Sequence, residues 1–328
     1  MIRAVAVLAL AAIAPLLIGG DVVVLHNMIL ATAYAVMALG LNVIVGFAGL
    51  LDLGYVAFFA IGAYTAAYFA SGYRNIHLNV LLVLALAVVT TGIAGALIGV
   101  PTLRLRGDYI AIVTLAFGEI IGQVAVNGER IKVFGGTLTM GPMGIGQIDR
   151  ISLPGLGRFS SVDLRPWYWF GLALIALALF VSLRLRDSRI GRAWTAMRDD
   201  EEAAAVAGIP IARTKLMAYG TGAALGGISG AFFAFYLGVV DAGRFEFSFS
   251  IFILSMVVLG GLGSVWGVMI GAVVLSVLNG YLLRDFLVDV SDYSAGIYGA
   301  VLVVTMLLRP EGLVRSARKS SQVRTPTA

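Results

Sequence analysis

Apolar residues run along this chain in long stretches, and polar residues are concentrated between them. A helix that crosses a bilayer needs about 20 apolar residues in succession. Backbone N–H and C=O groups cannot stay unpaired in lipid, so such stretches must be helical. The pattern therefore predicts an all-α, polytopic membrane protein of about ten transmembrane helices. The predicted helices are 4–20, 25–45, 54–71, 78–100, 109–126, 167–185, 215–238, 250–263, 266–283 and 294–309.

The first apolar stretch has a second interpretation. Arg3 followed by the apolar run 4–18 also fits a secretory signal peptide, and 12–14 has the small-x-small pattern of a cleavage site. Pro15 directly follows that site and argues against cleavage. We interpret the stretch as a retained helix.

The composition supports a membrane location. Of the 328 residues 60% are hydrophobic and 12% are charged, and the mean hydropathy is +0.97. A soluble globular protein carries about 25% charged residues. These values exclude a soluble enzyme, a nucleic-acid-binding protein and a disordered scaffold. The chain has no cysteine and two histidines, which leaves no thiolate ligand and little else to bind a metal.

The distribution of basic residues predicts the orientation. Most of the 23 Lys and Arg residues fall on the side of segment 184–215, which also contains 309–324. Cytoplasmic loops carry this excess, so both termini are predicted to be cytoplasmic. We predict one transmembrane domain over 1–316 and a basic cytoplasmic tail, 317–328. The basic stretch 315–324 is more consistent with contact to anionic lipid headgroups than with a specific partner.

Two regions lie outside the predicted helices. The external loop 127–166 is rich in Gly and Pro, and is either a plain connector or a functional loop. The internal loop 186–214 is the most charged stretch of the chain.

The internal loop contains a pattern typical of a short helix. Asp199 and Asp200 can cap its start, and the acidic residues Glu201 and Glu202 suit its first turn. Alanines follow, and Gly208 then ends the helix before a proline. We predict a helix of two to three turns whose small alanine face another protein can approach closely. The alternative is an ordinary capped loop helix.

The same residues resemble a known family. Glu202-Ala203-Ala204 followed by Gly208 is similar to the Glu-Ala-Ala-x-x-x-Gly pattern of ABC importer permeases, and 188–201 resembles the LivM-type permeases of branched-chain amino acid importers. Four further stretches resemble that family: 40–64, 103–119, 260–272 and 309–313. The chain departs from the family at 50–52 and at Val268, where the family often has a polar Gln and Ser and a Pro, respectively.

This resemblance implies a permease subunit of the bacterial inner membrane. Its partners would be a second, LivH-like permease, two ABC ATPase subunits that bind ATP and Mg²⁺, and an external substrate-binding protein. The substrate would be a branched-chain or related amino acid, with urea or another amide as the alternative. The short helix would couple the chain to the ATPases through the following residues: Asp200, Glu201, Glu202, Ala203, Ala204 and Gly208.

Five residues are candidates for the translocation path. Glu119 lies about ten residues into its predicted helix, which is about 15 Å and near the bilayer centre. Ionisable groups there are functional candidates by default, although an interhelical hydrogen bond is the alternative. Asp52 is interpreted as a helix cap or interface residue in preference to a substrate contact. Asn42 either bridges helices or faces the path. Gly46 and Gly49 mark close packing or a backbone that lines a polar path.

A phosphate-binding loop needs a Gly followed by Lys and then Ser or Thr. None of Lys132, Lys215 and Lys319 follows a glycine. We therefore expect this chain to bind no nucleotide cofactor and to hydrolyse no ATP itself. Two other functions remain alternatives. One is a secondary transporter driven by an ion gradient, with Glu119 as its proton carrier, and the other is a structural scaffold or channel.

Overall fold

The structure is a computed structural model that describes residues 2–17, 21–105, 107–133, 136–153, 157–160, 163–280, 294–309 and 311–314. These residues form a helical bundle. Its α-helices are α1 (Ile2–Leu17), α2 (Val22–Leu41), α3 (Val56–Phe69), α4 (Val80–Thr102), α5 (Asp108–Asn127), α6 (Arg165–Arg186), α7 (Arg189–Asp199), α8 (Glu201–Val206), α9 (Ile211–Leu237), α10 (Phe247–Gly260), α11 (Val265–Val277) and α12 (Ser294–Leu308). The end of α2 continues as a π-helical segment, Asn42–Phe47.

Each of the ten predicted stretches contains a helix. Among the described residues, six helices are long and apolar enough to cross a membrane. They are Val22–Phe47, Val80–Thr102, Asp108–Arg130, Arg165–Arg186, Ile211–Leu237 and Ala242–Gly260. The remaining apolar helices are α1, α3, α11 and α12, which have 13 to 16 residues each. The predicted mostly helical fold is thus confirmed, whereas the number of ten spans is not.

The short helix α3 lies inside the bundle. Almost all of its side chains are buried, and it packs against α9, α4 and α5. Its contact with α9 is a backbone contact, because a Cβ at Gly62 would overlap the carbonyl of Gly227. Small residues permit this approach of two helices. Surrounded by protein, α3 does not need the length that a lipid-facing span requires.

The two ends of the bundle differ. At one end, here called the α8 end, the last residues of α2, α4 and α10 and the first residues of α5 and α9 meet α7 and α8. The strands lie at the opposite end, here called the sheet end. They are β1 (Ala70–Ser71), β2 (Ile76–His77), β3 (Lys132–Val133), β4 (Gly136–Thr137), β5 (Ser152–Leu153) and β6 (Gly157–Arg158).

These strands form three antiparallel pairs, β1–β2, β3–β4 and β5–β6. The loop 127–166 therefore has secondary structure of its own. It is also attached to the bundle, since Ile145 pairs with Val240 and Ser71 pairs with Ile148. The described part of this loop caps the sheet end.

The segment 186–214, predicted as a loop with one short helix, contains two helices. The unpredicted one, α7, begins at the N-cap Ser188, whose side chain accepts a hydrogen bond from the N–H of Gly191. Its buried residues are Gly191, Trp194 and Met197, and Trp194 Nε1 donates to the carbonyl of Thr214 at 2.9 Å. The buried residues of α7 recur every three positions, and this helical spacing was the signal of a helix within a very polar sequence. The predicted tail 317–328 lies outside the described residues.

Candidate functional site

The helix α8 contains the residues predicted to couple this chain to an ATPase. Asp200 is its N-cap, and its Oδ1 accepts hydrogen bonds from the N–H groups of Glu202 and Ala203, both at 2.9 Å. Gly208 follows with φ +85, a left-handed conformation that glycine adopts without strain. The helix has six residues, fewer than the predicted two to three turns. Pro210 does not keep the chain from resuming a helix, because α9 begins at the next residue.

The two faces of α8 differ in exposure. Ala204 is buried against the rest of the chain, with 3% of its surface exposed. Ala203, Ala205 and Ala207 are exposed, and Val206 is 91% exposed. The helix therefore presents a small apolar surface at the α8 end, next to the exposed Glu202.

A buried lysine attaches α8 to the membrane helices. Lys215, in the second turn of α9, is fully buried, and its Nζ lies 2.8 Å from Glu201 Oε1. The same ammonium donates to the carbonyl of Leu105 at 3.3 Å, in the turn between α4 and α5. A buried charge is expensive to leave unpaired. Lys215 therefore joins α8, α9 and the α4–α5 turn.

Arg198, near the end of α7, makes a second attachment. Its Nη1 donates to the carbonyl of Gly46 at 2.5 Å, in the π-helical segment after α2. Its side chain also covers Gly49, where a Cβ would overlap Arg198 Cγ and where φ is +73. α7 and α8 are thus held by Arg198 to one set of helices and by Lys215 to another.

Three of the path candidates lie at this second attachment. Asn42 is fully buried, and its Oδ1 accepts a hydrogen bond from the N–H of Gly263 at 2.9 Å. A Cβ at Gly46 would overlap that Oδ1 and approach the Gly263 nitrogen at 2.5 Å. Asn42 therefore bridges α2 and the turn between α10 and α11. Together with Gly46, Gly49 and Arg198 it forms a joint that side chains larger than glycine would disrupt.

Asp52 stabilises the turn before α3. It is 2% exposed, and its Oδ1 accepts a hydrogen bond from the N–H of Gly54 at 2.9 Å. The N-cap of α3 is Tyr55, so Asp52 is not the cap itself. Within the described residues, Asp52 Oδ2 has no hydrogen-bond partner. Gly54 in turn packs directly on the carbonyl of Thr114 in α5.

Glu119 lies midway along α5, on a side of the helix that no other described element covers. The exposed residues recur at helical spacing, and they are Tyr109, Ile112, Ala116, Glu119, Ile120 and Gln123. Glu119 makes no hydrogen bond or ion pair with the described residues. A charged side chain at the bilayer centre costs roughly 3 kcal/mol or more. A face with both Glu119 and Gln123 is thus unsuited to lipid.

The sequence interpretation did not select Lys215, Arg198 or Val206 as site residues. Lys215 carried a signal, since a lone lysine at the start of a long apolar helix requires a partner. The other two became significant only through contact or exposure in the folded chain. Among the described residues, no group of three or more His, Cys, Asp or Glu side chains is placed to hold a metal ion.

Comparison with known proteins agrees with the family resemblance described for the sequence. The model of the family described as "Branched-chain amino acid transport system / permease component" matches residues 23–306. The high-affinity branched-chain amino acid transport system permease protein LivM of Salmonella typhimurium is 39% identical over 319 residues, covering 90% of this chain and 71% of that protein. LivM of Escherichia coli K12 is 38% identical with the same coverage. LivH of Escherichia coli K12 is 25% identical over 300 residues, covering 88% of this chain and 93% of that protein. No solved structure matches.

Proposed function

The chain belongs to the branched-chain amino acid transport system permease family, and we propose its function from that premise. It is the membrane permease subunit of an ATP-driven ABC importer for branched-chain amino acids. Relatives that match nearly the whole chain are named as permeases of that transport system, which supports this substrate over urea or another amide.

The observation that carries the ATP-driven mechanism is the attachment of α8. A coupling helix must present a docking surface to an ATPase and must transmit its movement to the membrane helices. Val206 and the exposed alanines supply the surface. Lys215 and Arg198 supply the transmission, because each connects the α7–α8 unit to a different group of membrane helices. A displacement of α8 would therefore act on both groups at once.

The exposed face of α5 supports a second permease as a partner. Since Glu119 and Gln123 are costly in lipid, we place this face against a second, LivH-like permease, where the path lies between the two subunits. Water and polar groups in that path would surround the Glu119 carboxylate. Asn42, Gly46 and Gly49 then act at the joint with Arg198 and do not line the path. We place the α8 end in the cytoplasm and the sheet end towards an external binding protein.

The test is energy-dependent uptake by the assembled complex. This chain, its second permease, two ATPase subunits and the binding protein are reconstituted in vesicles with radiolabelled leucine. We expect uptake to require ATP and to survive collapse of the H⁺ and Na⁺ gradients by ionophores. Uptake that follows an imposed ion gradient without ATP would overturn the proposal in favour of a secondary transporter. ATP-dependent uptake of urea without uptake of leucine would overturn the substrate assignment.

A further inference from the structure

A cleft at the sheet end has no part in the mechanism described so far. Its volume is about 280 Å³, close to the roughly 300 Å³ at which ligand pockets begin. Arg244, Glu246 and Ser248 lie where α10 begins, and the cleft also contacts α2, α3 and α9. The wall between these elements is aromatic, and it contains Tyr34, Phe59, Phe233, Phe249 and Phe252.

The cleft extends deep into the bundle. Tyr34 lies 12 residues after Val22, the first residue of α2, which corresponds to about 18 Å along the helix. The hydrocarbon core of a bilayer is about 30 Å thick. By this measure the cleft extends from the sheet end to about the middle of the membrane thickness.

Arg244 offers a site for a carboxylate. Its Nε lies 2.5 Å from Asp241 Oδ2, and its guanidinium lies over the ring of Phe233, 5.8 Å from the centroid. Within the described residues its two terminal amino groups have no hydrogen-bond partner. Arginine binds carboxylates with two parallel hydrogen bonds, and these terminal groups are available for that purpose.

Glu246 offers the complementary site for an ammonium group. It is exposed directly before α10, and its carboxylate accepts a hydrogen bond from Ser248 Oγ at 3.5 Å. No basic side chain of the described residues pairs with it. The cleft thus carries one cation and one anion that retain hydrogen-bonding capacity for a ligand.

The aromatic wall suits an apolar side chain. The rings of Phe59 and Phe249 are 5.3 Å apart and those of Tyr34 and Phe252 are 5.5 Å apart, so they form one continuous surface. We propose that the cleft is a low-affinity entry site for a zwitterionic α-amino acid with an apolar side chain. The substrate carboxylate binds Arg244, its ammonium binds Glu246, and its side chain packs on the aromatic wall. This inference rests on the proposed function as an amino acid permease.

The absence of cysteine from the chain provides the test. Ser248→Cys places a single thiol in the cleft of the assembled complex in lipid nanodiscs. The rate of its labelling by a water-soluble maleimide is read on this chain after the subunits are separated. We expect saturating leucine to slow labelling about tenfold. We expect 4-methylpentanoate, which lacks the ammonium, and 3-methylbutylamine, which lacks the carboxylate, to give little protection, because each loses a charge-assisted hydrogen bond.

The Glu246→Gln substitution in the same background is expected to raise the leucine concentration needed for protection at least about tenfold. Glu129→Gln is the matched control, since Glu129 is an exposed carboxylate at the same end and outside the cleft. The proposal is overturned if the thiol is not labelled without leucine, if leucine gives no protection, if either analogue protects equally, or if Glu246→Gln changes nothing.

ATP-driven leucine uptake by the unmodified complex, measured in parallel, separates the two proposals. Normal uptake without protection removes only the entry site. Protection without ATP-driven uptake supports the site and overturns the proposed function.

Discussion

The α8 end and the sheet end are held together by different means. At the α8 end, two cations reach across several helices, and one of them, Lys215, has no exposed surface. At the sheet end, short strand pairs and aromatic contacts hold the loops, and the charged groups Arg244 and Glu246 remain open to solvent. Both ends contain charged groups that pair within the chain, but the described sheet-end ion pairs are partly exposed, such as Arg244–Asp241, whereas Lys215 at the α8 end is fully buried.

This difference indicates a division of tasks. Buried charge pairs fix geometry strictly, because separating them leaves a charge without water or a partner. Such connections suit an end that must transmit movement. Exposed charged groups beside an aromatic cleft can exchange water for a ligand at a lower cost, which suits an end that receives one. Variants at the α8 end are therefore expected to impair coupling, and variants elsewhere to spare it.

The largest effect is expected from Val206→Asp. The substitution places a charge at the centre of the proposed ATPase contact, where no partner is available, while Val206 makes little contact within this chain. We expect the ATPase subunits to be lost during purification and uptake to fall to background. Co-purification of the subunits and the melting temperature of the membrane subunits are the two measurements. Ala207→Asp tests the edge of the same surface, beyond the last residue of the helix, and should have a smaller effect. Normal ATPase association of Val206→Asp would exclude α8 as the docking surface.

The second-largest effect is expected from substitutions in the ion pair of Lys215 and Glu201, whose two partners differ in burial. Glu201→Gln leaves Lys215 without its counter-charge, whereas Lys215→Met leaves Glu201 partly exposed, at 27%, and able to gain water. Removing the partner of a buried charge costs about 3 to 5 kcal/mol. We therefore expect Glu201→Gln to impair thermal stability and uptake more than Lys215→Met, and the double variant to recover most of the loss.

Glu129→Gln is the control for the ion pair, because Glu129 is an exposed carboxylate at the sheet end, the opposite end of the bundle from Lys215. A greater loss in Lys215→Met than in Glu201→Gln would contradict the assignment of the buried charge to the lysine.

The sequence predicted the positions of helices better than the connections between them. Long apolar runs such as 78–100 and 167–185 are recognisable because lipid leaves the backbone no alternative to a helix. The helix α7 was not predicted because its exposed face is very polar. Trp194 and Met197, three residues apart, are its only large buried side chains. The count of ten spans was not confirmed, because helices such as α3 are enclosed by protein and shorter than lipid-facing ones.

Residues whose role depends on distant contacts were beyond prediction from the sequence. Asp200 was selected correctly as a cap, because its partners are two and three residues away. Arg198 donates a hydrogen bond to the carbonyl of Gly46, 152 residues earlier in the chain, and no local sequence pattern predicts that contact. The sequence left two roles open for Asn42, bridging helices or facing the path. Only the folded position of Gly263, whose N–H donates to Asn42, shows that it bridges.

A smaller effect is expected from substitution at Gly208. Its φ of +85 is inaccessible to proline, whose ring fixes φ near about −65°. Its N–H also donates to the Ala205 carbonyl at 3.0 Å, and proline has no such donor. We expect Gly208→Pro to reduce uptake at least about tenfold while ATP hydrolysis continues. Gly208→Ala, strained by roughly 1 to 2 kcal/mol, should have an intermediate effect. A wild-type rate of uptake in the assembled Gly208→Pro complex would show that the geometry of the α8 end does not limit coupling.

The smallest effect is expected from Glu119→Gln, outside both ends of the bundle. Glutamine has the same shape and can form hydrogen bonds, but it cannot ionise. If energy enters through α8, the carboxylate has no proton to carry, and uptake should stay within about twofold of the wild-type rate. Glu119→Leu removes the charge from the α5 face and leaves Gln123 as its remaining polar side chain near the centre. We expect it to slow uptake by more than Glu119→Gln while ATPase association is retained. Rates measured in the presence of an H⁺ ionophore decide the interpretation. An ionophore-sensitive wild type together with an inactive Glu119→Gln would indicate a proton carrier, and the separation of tasks between the two ends would then be wrong.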